Sequence, residues 1–293
     1  MTMLLIGGTG QVGSAVVSKL ATERGIDLRV LTPNPDKAKA PANVTVVKGD
    51  VLDMASMRSA LAGVGTLFLL NPVVADEHTR ALLTLRLAKD AGVKGVVYFS
   101  MVNSDVFADT PHASAKFAAE QMIERFDIPA TILRPNCFFQ NDAMVKGPLL
   151  EQGRYAMPIG SVGVAMVDTR DIAEVAALEM LGRERAPEPL PRSRVEISGP
   201  EILTGSSIAA IWSDVLGKSV TYAGDDTGPL EKQLAEHMSA AMAVDTTLMF
   251  RGFQRDGMLP SPHAVQAVEE KLGRPLRTYR AFAEELKAAL RNG

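Results

Sequence analysis

Short apolar runs alternate with longer stretches in which apolar positions recur every three or four residues, and this alternation fills the first half of the chain. Met3 to Ile6 predicts a buried strand and Gln11 to Glu23 a helix. Leu28 to Leu31 and Val44 to Val47 predict two more strands, Asp53 to Ala62 a helix, Thr66 to Leu70 a strand and Asp76 to Ala91 a helix. Val96 to Ser100 follows as a strand, Pro111 to Phe126 as a helix and Ala130 to Leu133 as a strand. Strands that are apolar on both faces and separated by helices predict a parallel sheet covered on both sides. Right-handed crossovers then wind the sheet doubly.

Past Pro135 the alternation breaks down. Gly147, Pro148, Gly153, Pro158, Gly160 and Gly163 mark a loop-rich passage. Asp168 to Leu181 predicts a helix capped by Asp168 or Thr169. The segment from Arg185 to Arg194 is a proline-rich connection, Val195 to Ser198 a strand, and Thr204 to Leu216 and Thr278 to Leu290 helices. The fold class expected is α/β, a doubly wound parallel Rossmann sheet with a smaller C-terminal α/β substrate lobe. Residues 1–150 are expected to form the dinucleotide domain, with 164–183 returning to it. Residues 184–293 form the smaller lobe, which also uses 136–163.

The chemistry starts at the first turn. Gly7-Gly8-Thr9-Gly10-Gln11-Val12-Gly13 follows a predicted strand, opens a helix and begins a βαβ unit, the context a dinucleotide fingerprint requires. Gly7 permits the tight turn, Gly10 lets backbone N–H groups approach a pyrophosphate, and Gly13 lets the helix pack on the strand. The helix N-terminus adds partial positive charge. The second strand runs Val30-Leu31-Thr32-Pro33-Asn34 with no carboxylate at its tip, where NAD sites usually carry one. Lys37 and Lys39 follow, either within reach of a 2′-phosphate or simply solvated. The cofactor expected is therefore NADP(H) in preference to NAD(H). Asp50 and Val51, after the third strand, suit the adenine side, or Asp50 serves a turn before the Asp53 helix.

Composition narrows the classes. Apolar residues make up 46% and charged ones 22%, and 31 basic against 34 acidic residues leave −3, with no basic run for nucleic acid. Cys137 is the single cysteine and the four histidines show no metal-ligand spacing, so no metal is expected. The N-terminus lacks signal-peptide features and no apolar stretch spans a bilayer. The expectation is a cytoplasmic monomer or homodimer whose partner is a small-molecule substrate, with neither nucleic acid nor membrane.

A short-chain dehydrogenase carries Tyr and Lys four residues apart on one helix face. None of Tyr98, Tyr155, Tyr222 and Tyr279 has a lysine four residues on. The helix after the Val96 to Ser100 strand instead reads His112-Ala113-Ser114-Ala115-Lys116, which puts His112 and Lys116 one turn apart on one face. In the first turn the helix dipole favours a neutral His112.

The glycine turn, Ala91-Gly92-Val93-Lys94 before the Ser100 strand, His112 to Lys116 and Thr131-Ile132-Leu133-Arg134-Pro135-Asn136-Cys137-Phe138 together resemble the NmrA-like family of atypical short-chain dehydrogenases. Val167-Asp168-Thr169-Arg170-Asp171-Ile172-Ala173 and Leu272-Gly273-Arg274-Pro275 carry the resemblance along nearly the whole chain. The resemblance implies that Lys116 holds the nicotinamide ribose hydroxyls. It places Asn71, Pro72, Asn136 and Phe138 around the nicotinamide. Family members often read the 2′-phosphate with an arginine after the second strand, where this chain has Pro33; the lysine that often follows is present as Lys37. The family implied includes NADPH-dependent quinone and dye reductases and also redox-sensing regulators that bind dinucleotide without turning it over.

The candidate catalytic residues are Lys116 and His112. The candidate cofactor residues are Gly7, Thr9, Gly10, Gln11, Val12, Gly13, Thr32, Lys37, Asp50, Val51, Asn71, Pro72, Ser100, Lys116, Asn136 and Phe138. An intact cofactor site without the tyrosine acid points to an NAD(P)H-dependent reductase. It would pass hydride to an electron-poor acceptor such as a quinone, enone, imine or dye, with His112 or water as proton source. The alternative is a non-catalytic dinucleotide sensor acting through a protein partner. Nucleotide-sugar epimerisation needs the absent tyrosine. Phe138, Phe139, Met144, Met157, Phe250 and Phe253 are expected either to shape an apolar substrate pocket or to serve as plain core.

Overall fold

The computed structural model describes residues 1–291. The chain divides into two compact units, one of Met1–Ala108, His112–Arg134 and Ile172–Val195, the other of Asp109–Pro111, Pro135–Asp171 and the residues from Glu196 onward.

The first unit lays down β1 (Thr2–Ile6), α1 (Gln11–Leu20), β2 (Asp27–Thr32), β3 (Val44–Lys48), α2 (Met54–Leu61), β4 (Thr66–Leu69), α3 (Glu77–Asp90), β5 (Gly95–Phe99), α4 (Pro111–Arg125) and β6 (Ala130–Pro135). Later come α5 (Lys146–Gln152), β7 (Arg154–Tyr155), α6 (Thr169–Arg185) and β8 (Ser193–Ile197). The chain finishes with α7 (Gly205–Leu216), β9 (Thr221–Tyr222), α8 (Gly228–Ala235), α9 (Ala240–Asp256), α10 (Ala264–Leu272) and α11 (Tyr279–Arg291). The main sheet has the order β3-β2-β1-β4-β5-β6-β8, and the pairings from β3 across to β6 are parallel. This is the doubly wound Rossmann arrangement. The chain steps outward from β1 through β2 to β3, then restarts at β4 on the other side of β1, so the switch point lies between the carboxyl ends of β1 and β4.

Both faces of the sheet are apolar, as parallel strands require. Leu4, Ile6, Leu67, Leu69, Val96, Tyr98 and Ile132 pack with Met57, Leu61, Ala81, Leu85, Ala119 and Ile123 of α2, α3 and α4. Alternate residues Met3, Leu5, Phe68, Val97 and Phe99 are equally buried on the opposite side. Each such side chain contributes about 1.5–3 kcal/mol by leaving water.

Asp53 caps α2 by accepting from the Ala55 amide at 3.0 Å, as its position predicts. Helix α1 stops at Leu20, short of the predicted Glu23, because turns around Gly25, at φ +79°, lead straight into β2.

The second unit departs further from expectation. Residues 146–152, read as loop because of Gly147-Pro148, form α5. Proline in a first helical turn loses no hydrogen bond there, and Gly153, at φ +64°, closes the helix in the left-handed region. Residues 217–277, where the pattern predicted no element, contain β9 and helices α8, α9 and α10. Strand β9 pairs in parallel with β7. Thr204 caps α7 in a full capping box with Ser207. Phe139, Met157, Phe250 and Phe253 are core side chains, while Phe138 and Met144 are half-buried.

A polar knot lies in this unit. Asp142, wholly buried, accepts from Tyr155 Oη at 3.0 Å and from Tyr279 Oη, and Trp212 Nε1 donates to Tyr279 Oη at 2.9 Å. The Phe139 ring stands edge-on to Tyr279, with centroids 5.2 Å apart. Burial pushes the Asp142 carboxyl up to about 7, against the lowering effect of the hydrogen bonds from Tyr279, Tyr155 and Trp212.

Candidate functional site

The candidate site grows from the switch point. Gly7 leaves β1 at φ +85°, and a Cβ there would lie 2.3 Å from the Leu70 carbonyl, so the turn lies directly on the end of β4. Gly13 is tighter: a Cβ would meet the Gly7 carbonyl oxygen at 2.0 Å and Gly8 Cα at 2.8 Å. These two glycines are required by the protein itself. Gly10 is not. Its φ of −80° suits any residue, and a Cβ would meet only the Gly7 oxygen, at an ordinary 3.5 Å. Helix α1 starts with no side-chain cap and no acidic residue in its first turn, leaving orphan amide donors for an anion. Val12 is buried beneath the turn, whereas Thr9 and Gln11 are exposed.

Asn71, after β4, is 2% exposed, and neither its Oδ1 nor its Nδ2 has a partner. An unsatisfied buried amide costs about 1–3 kcal/mol, so the side chain suits a ligand's polar groups. The orphaned Asn71, the uncapped helix and the open space at Gly10 together fit a dinucleotide. Pro72 beside it is exposed.

At the other end, Thr32 is buried, and its hydroxyl accepts from the Asn34 amide at 3.3 Å. Lys37 ends an exposed 3-10 turn, Pro35–Lys37. Asp50 is exposed, accepts from the Leu52 amide at 2.9 Å and lies 3.6 Å from Arg80, while Val51 is buried.

Helix α4 carries the rest. His112 and Lys116 do share a face, and both reach one carboxylate, Glu77, at the first position of α3. Lys116 Nζ is 2.9 Å from Oε1, and His112 Nδ1 is 2.6 Å from Oε2. Lys116 Nζ also donates to the Phe99 carbonyl at 2.9 Å and lies 5.6 Å from the centre of the Tyr98 ring. Glu77 is 3% and Lys116 2% exposed. Burial drives the Glu77 carboxyl up, but Lys116 and the His112 hydrogen bond outweigh it and hold it below the usual range. A carboxylate only accepts, so the His112 ring carries its proton on Nδ1.

One turn further along, Glu120 accepts from Ser100 Oγ, from Ser104 Oγ at 3.3 Å, and from Arg134 Nε at 3.0 Å. Ser100 is thus held by protein. Asn136 and Phe138 belong to the second unit. There the Asn136 amide donates to the Met258 carbonyl at 2.8 Å and to Ser198 Oγ at 3.3 Å, and accepts from the Cys137 amide. Burial pushes the Cys137 thiol up to about 12, which leaves it inert at neutral pH.

Glu77 and Glu120 escaped the sequence reading. Glu77 lies 35 residues before His112, and nothing local marks an acidic helix start as a core ion pair. Glu120 was in sight, one turn past Lys116 on the same face. Among the described residues, no group of three or more His, Cys, Asp or Glu could hold a metal, and no helix is long and apolar enough to cross a membrane.

A doubly wound sheet with a glycine cradle at its switch point defines a dinucleotide-binding α/β protein. The NmrA-like family matches residues 1–286, and the chain belongs to it. The NAD(P)H azoreductase of Xenophilus azovorans is 28% identical, covering 98% of both chains. The NADPH-dependent quinone oxidoreductase of Escherichia coli, solved with NADPH, superimposes with a TM-score of 0.81 at 25% identity over 97% of this chain and 99% of its own. The triphenylmethane reductase of Citrobacter sp., solved with NADP(H), gives 0.81 at 22% identity over the same shares, a likeness of fold.

Proposed function

We propose that this chain is an NAD(P)H-dependent reductase of electron-poor small molecules, with quinones and azo or triphenylmethane dyes as the acceptor classes and NADP(H) favoured over NAD(H). The observation that carries the reading is the buried Lys116, on the helix that follows β5, in the same unit as a cradle with an unpartnered Asn71. An ammonium has three donor directions. The Phe99 carbonyl takes one of them by hydrogen bond and the Glu77 carboxylate stands 2.9 Å away as the ion-pair partner, which leaves a donor for a ribose hydroxyl.

The reduced dinucleotide, when bound, supplies hydride. The chain's own groups do the rest. The α1 amides and Gly10 receive the pyrophosphate, Asn71 pairs with polar ligand atoms, and Lys116 fixes the ribose. A quinone takes hydride and one proton to become a hydroquinone, and His112 or water provides the proton. Such acceptors delocalise incoming electrons, so the missing tyrosine acid is no obstacle. The carboxylate-free tip of β2, with Lys37 just beyond it, supports NADP(H). The single buried cysteine fits a reducing compartment such as the cytoplasm.

The test is steady-state oxidation of NADPH and NADH against a panel of quinones, azo dyes and triphenylmethane dyes. Acceptor-dependent oxidation, faster with NADPH, is expected. Background rates with every acceptor sink the reductase reading and return the sensor.

A further inference from the structure

We propose that Glu77 is the positioning residue shared by Lys116 and His112, and this rests on the reductase reading of the site. Its Oε2 takes the His112 hydrogen bond and its Oε1 faces the Lys116 ammonium as an ion pair, and those partners stand one helical turn apart on α4. A carboxylate at 3% exposure would be costly alone. Here the charge stands at the N-terminus of α3, where the helix dipole favours it, and opposite an ammonium as deeply buried as itself.

The consequences differ for the two partners. The Glu77 and Lys116 charges cancel, which lets an ammonium persist in the core and keeps Nζ on the Phe99 carbonyl, aimed from a fixed root. For His112, the bond from Nδ1–H sets both tautomer and ring plane, and Nε2 becomes the nitrogen turned from the carboxylate. Glutamine in this place cannot do both tasks. Its single oxygen can serve Lys116 or His112, and its NH2 group would oppose the other.

The experiment is a double-mutant cycle on NADPH binding by calorimetry, using wild type, E77Q, K116M and E77Q/K116M, with ring-nitrogen NMR of His112. E77Q and K116M are each expected to weaken NADPH by about ten- to a hundredfold, the loss of one charged hydrogen bond. The double variant should bind no more weakly than K116M, and E77Q should abolish the fixed Nδ1–H signature of His112. Additive losses, or an E77Q protein with unchanged affinity and tautomer, overturn the proposal. Should E77Q fail to fold, E77Q/K116M, with no charge stranded, is compared with K116M. Equal affinity together with loss of the fixed Nδ1–H signature of His112 supports the role, and a further loss of affinity or an unchanged signature refutes it. None of these readouts needs turnover. A wild type that binds NADPH but reduces nothing defeats the reductase reading alone, while additive losses defeat the Glu77 role alone.

Discussion

Two alanine substitutions in the glycine turn should separate what the fold needs from what a ligand needs. In Gly13→Ala the new methyl carbon would lie 2.0 Å from the Gly7 carbonyl oxygen and 2.7 Å from its carbon. Both are backbone atoms, so no flexible side chain can yield. The turn must open by roughly 1 Å or more before the contact becomes ordinary, at a cost of about 1–3 kcal/mol. The 3.1 Å bond from the Gly10 amide to that same oxygen is disturbed as well. In Gly10→Ala the methyl meets only one atom at 3.5 Å, and the backbone angles are already those of alanine. Stability should change by no more than a few tenths of a kcal/mol, since the entropic gain of Gly to Ala offsets a slightly poorer cap. NADPH, however, would meet that methyl, and losing one or two phosphate hydrogen bonds weakens it by about ten- to a hundredfold. Urea unfolding and calorimetry read the two effects separately. A Gly10→Ala protein that binds NADPH like wild type would refute the assignment of this turn as the pyrophosphate cradle.

Other substitutions probe the buried polar groups. Asn71→Leu should leave the apo protein as stable or more so, by up to about 1–3 kcal/mol, while weakening NADPH; destabilised apo protein in thermal melts would show that Asn71 has a structural partner. E77Q, which strands the Lys116 ammonium, should cost about 3–5 kcal/mol in urea unfolding, and E77Q/K116M should recover most of it; equal losses in both would contradict a coupled pair. For Asp142 the folded pKa of about 7 stands above the ordinary 3.8, so its contribution is fully present below about 4 and disappears as pH rises through 7. The full span is about 4 kcal/mol. Asp142→Asn should remove that component from stability measured between pH 4 and 8, and an unchanged profile would place the titration elsewhere.

The strands from β1 to β6 were legible because parallel strands buried on both faces leave unbroken apolar runs, and the Gly7 to Gly13 turn was legible because a strand-turn-helix junction this tight admits no Cβ at Gly7 or Gly13. The α4 face was legible too, since i, i+4 geometry places His112 beside Lys116. Their acceptor was not: Glu77 belongs to another helix, and pairing between helices far apart in sequence leaves no local trace. The same applies to Asp142, whose partners Tyr155 and Tyr279 come from distant segments. Helix α9 was missed because Ala240 to Asp256 mixes polar and apolar positions without a clean stripe. Helix α5 was hidden by reading Gly147-Pro148 as a breaker, when the pair sits in the first turn. For His112, the dipole of its own helix was visible and the Glu77 carboxylate facing it was not.

On the proposed function, hydride leaves a dinucleotide held in one orientation by the Gly7 to Gly13 turn and Lys116. The kinetic isotope effect with NADPH deuterated on one or the other face of nicotinamide C4, with a quinone acceptor, reads that orientation. A primary effect with one label and none with the other is the expected result. Oxidation that ignores both labels, or slows equally with each, would contradict it.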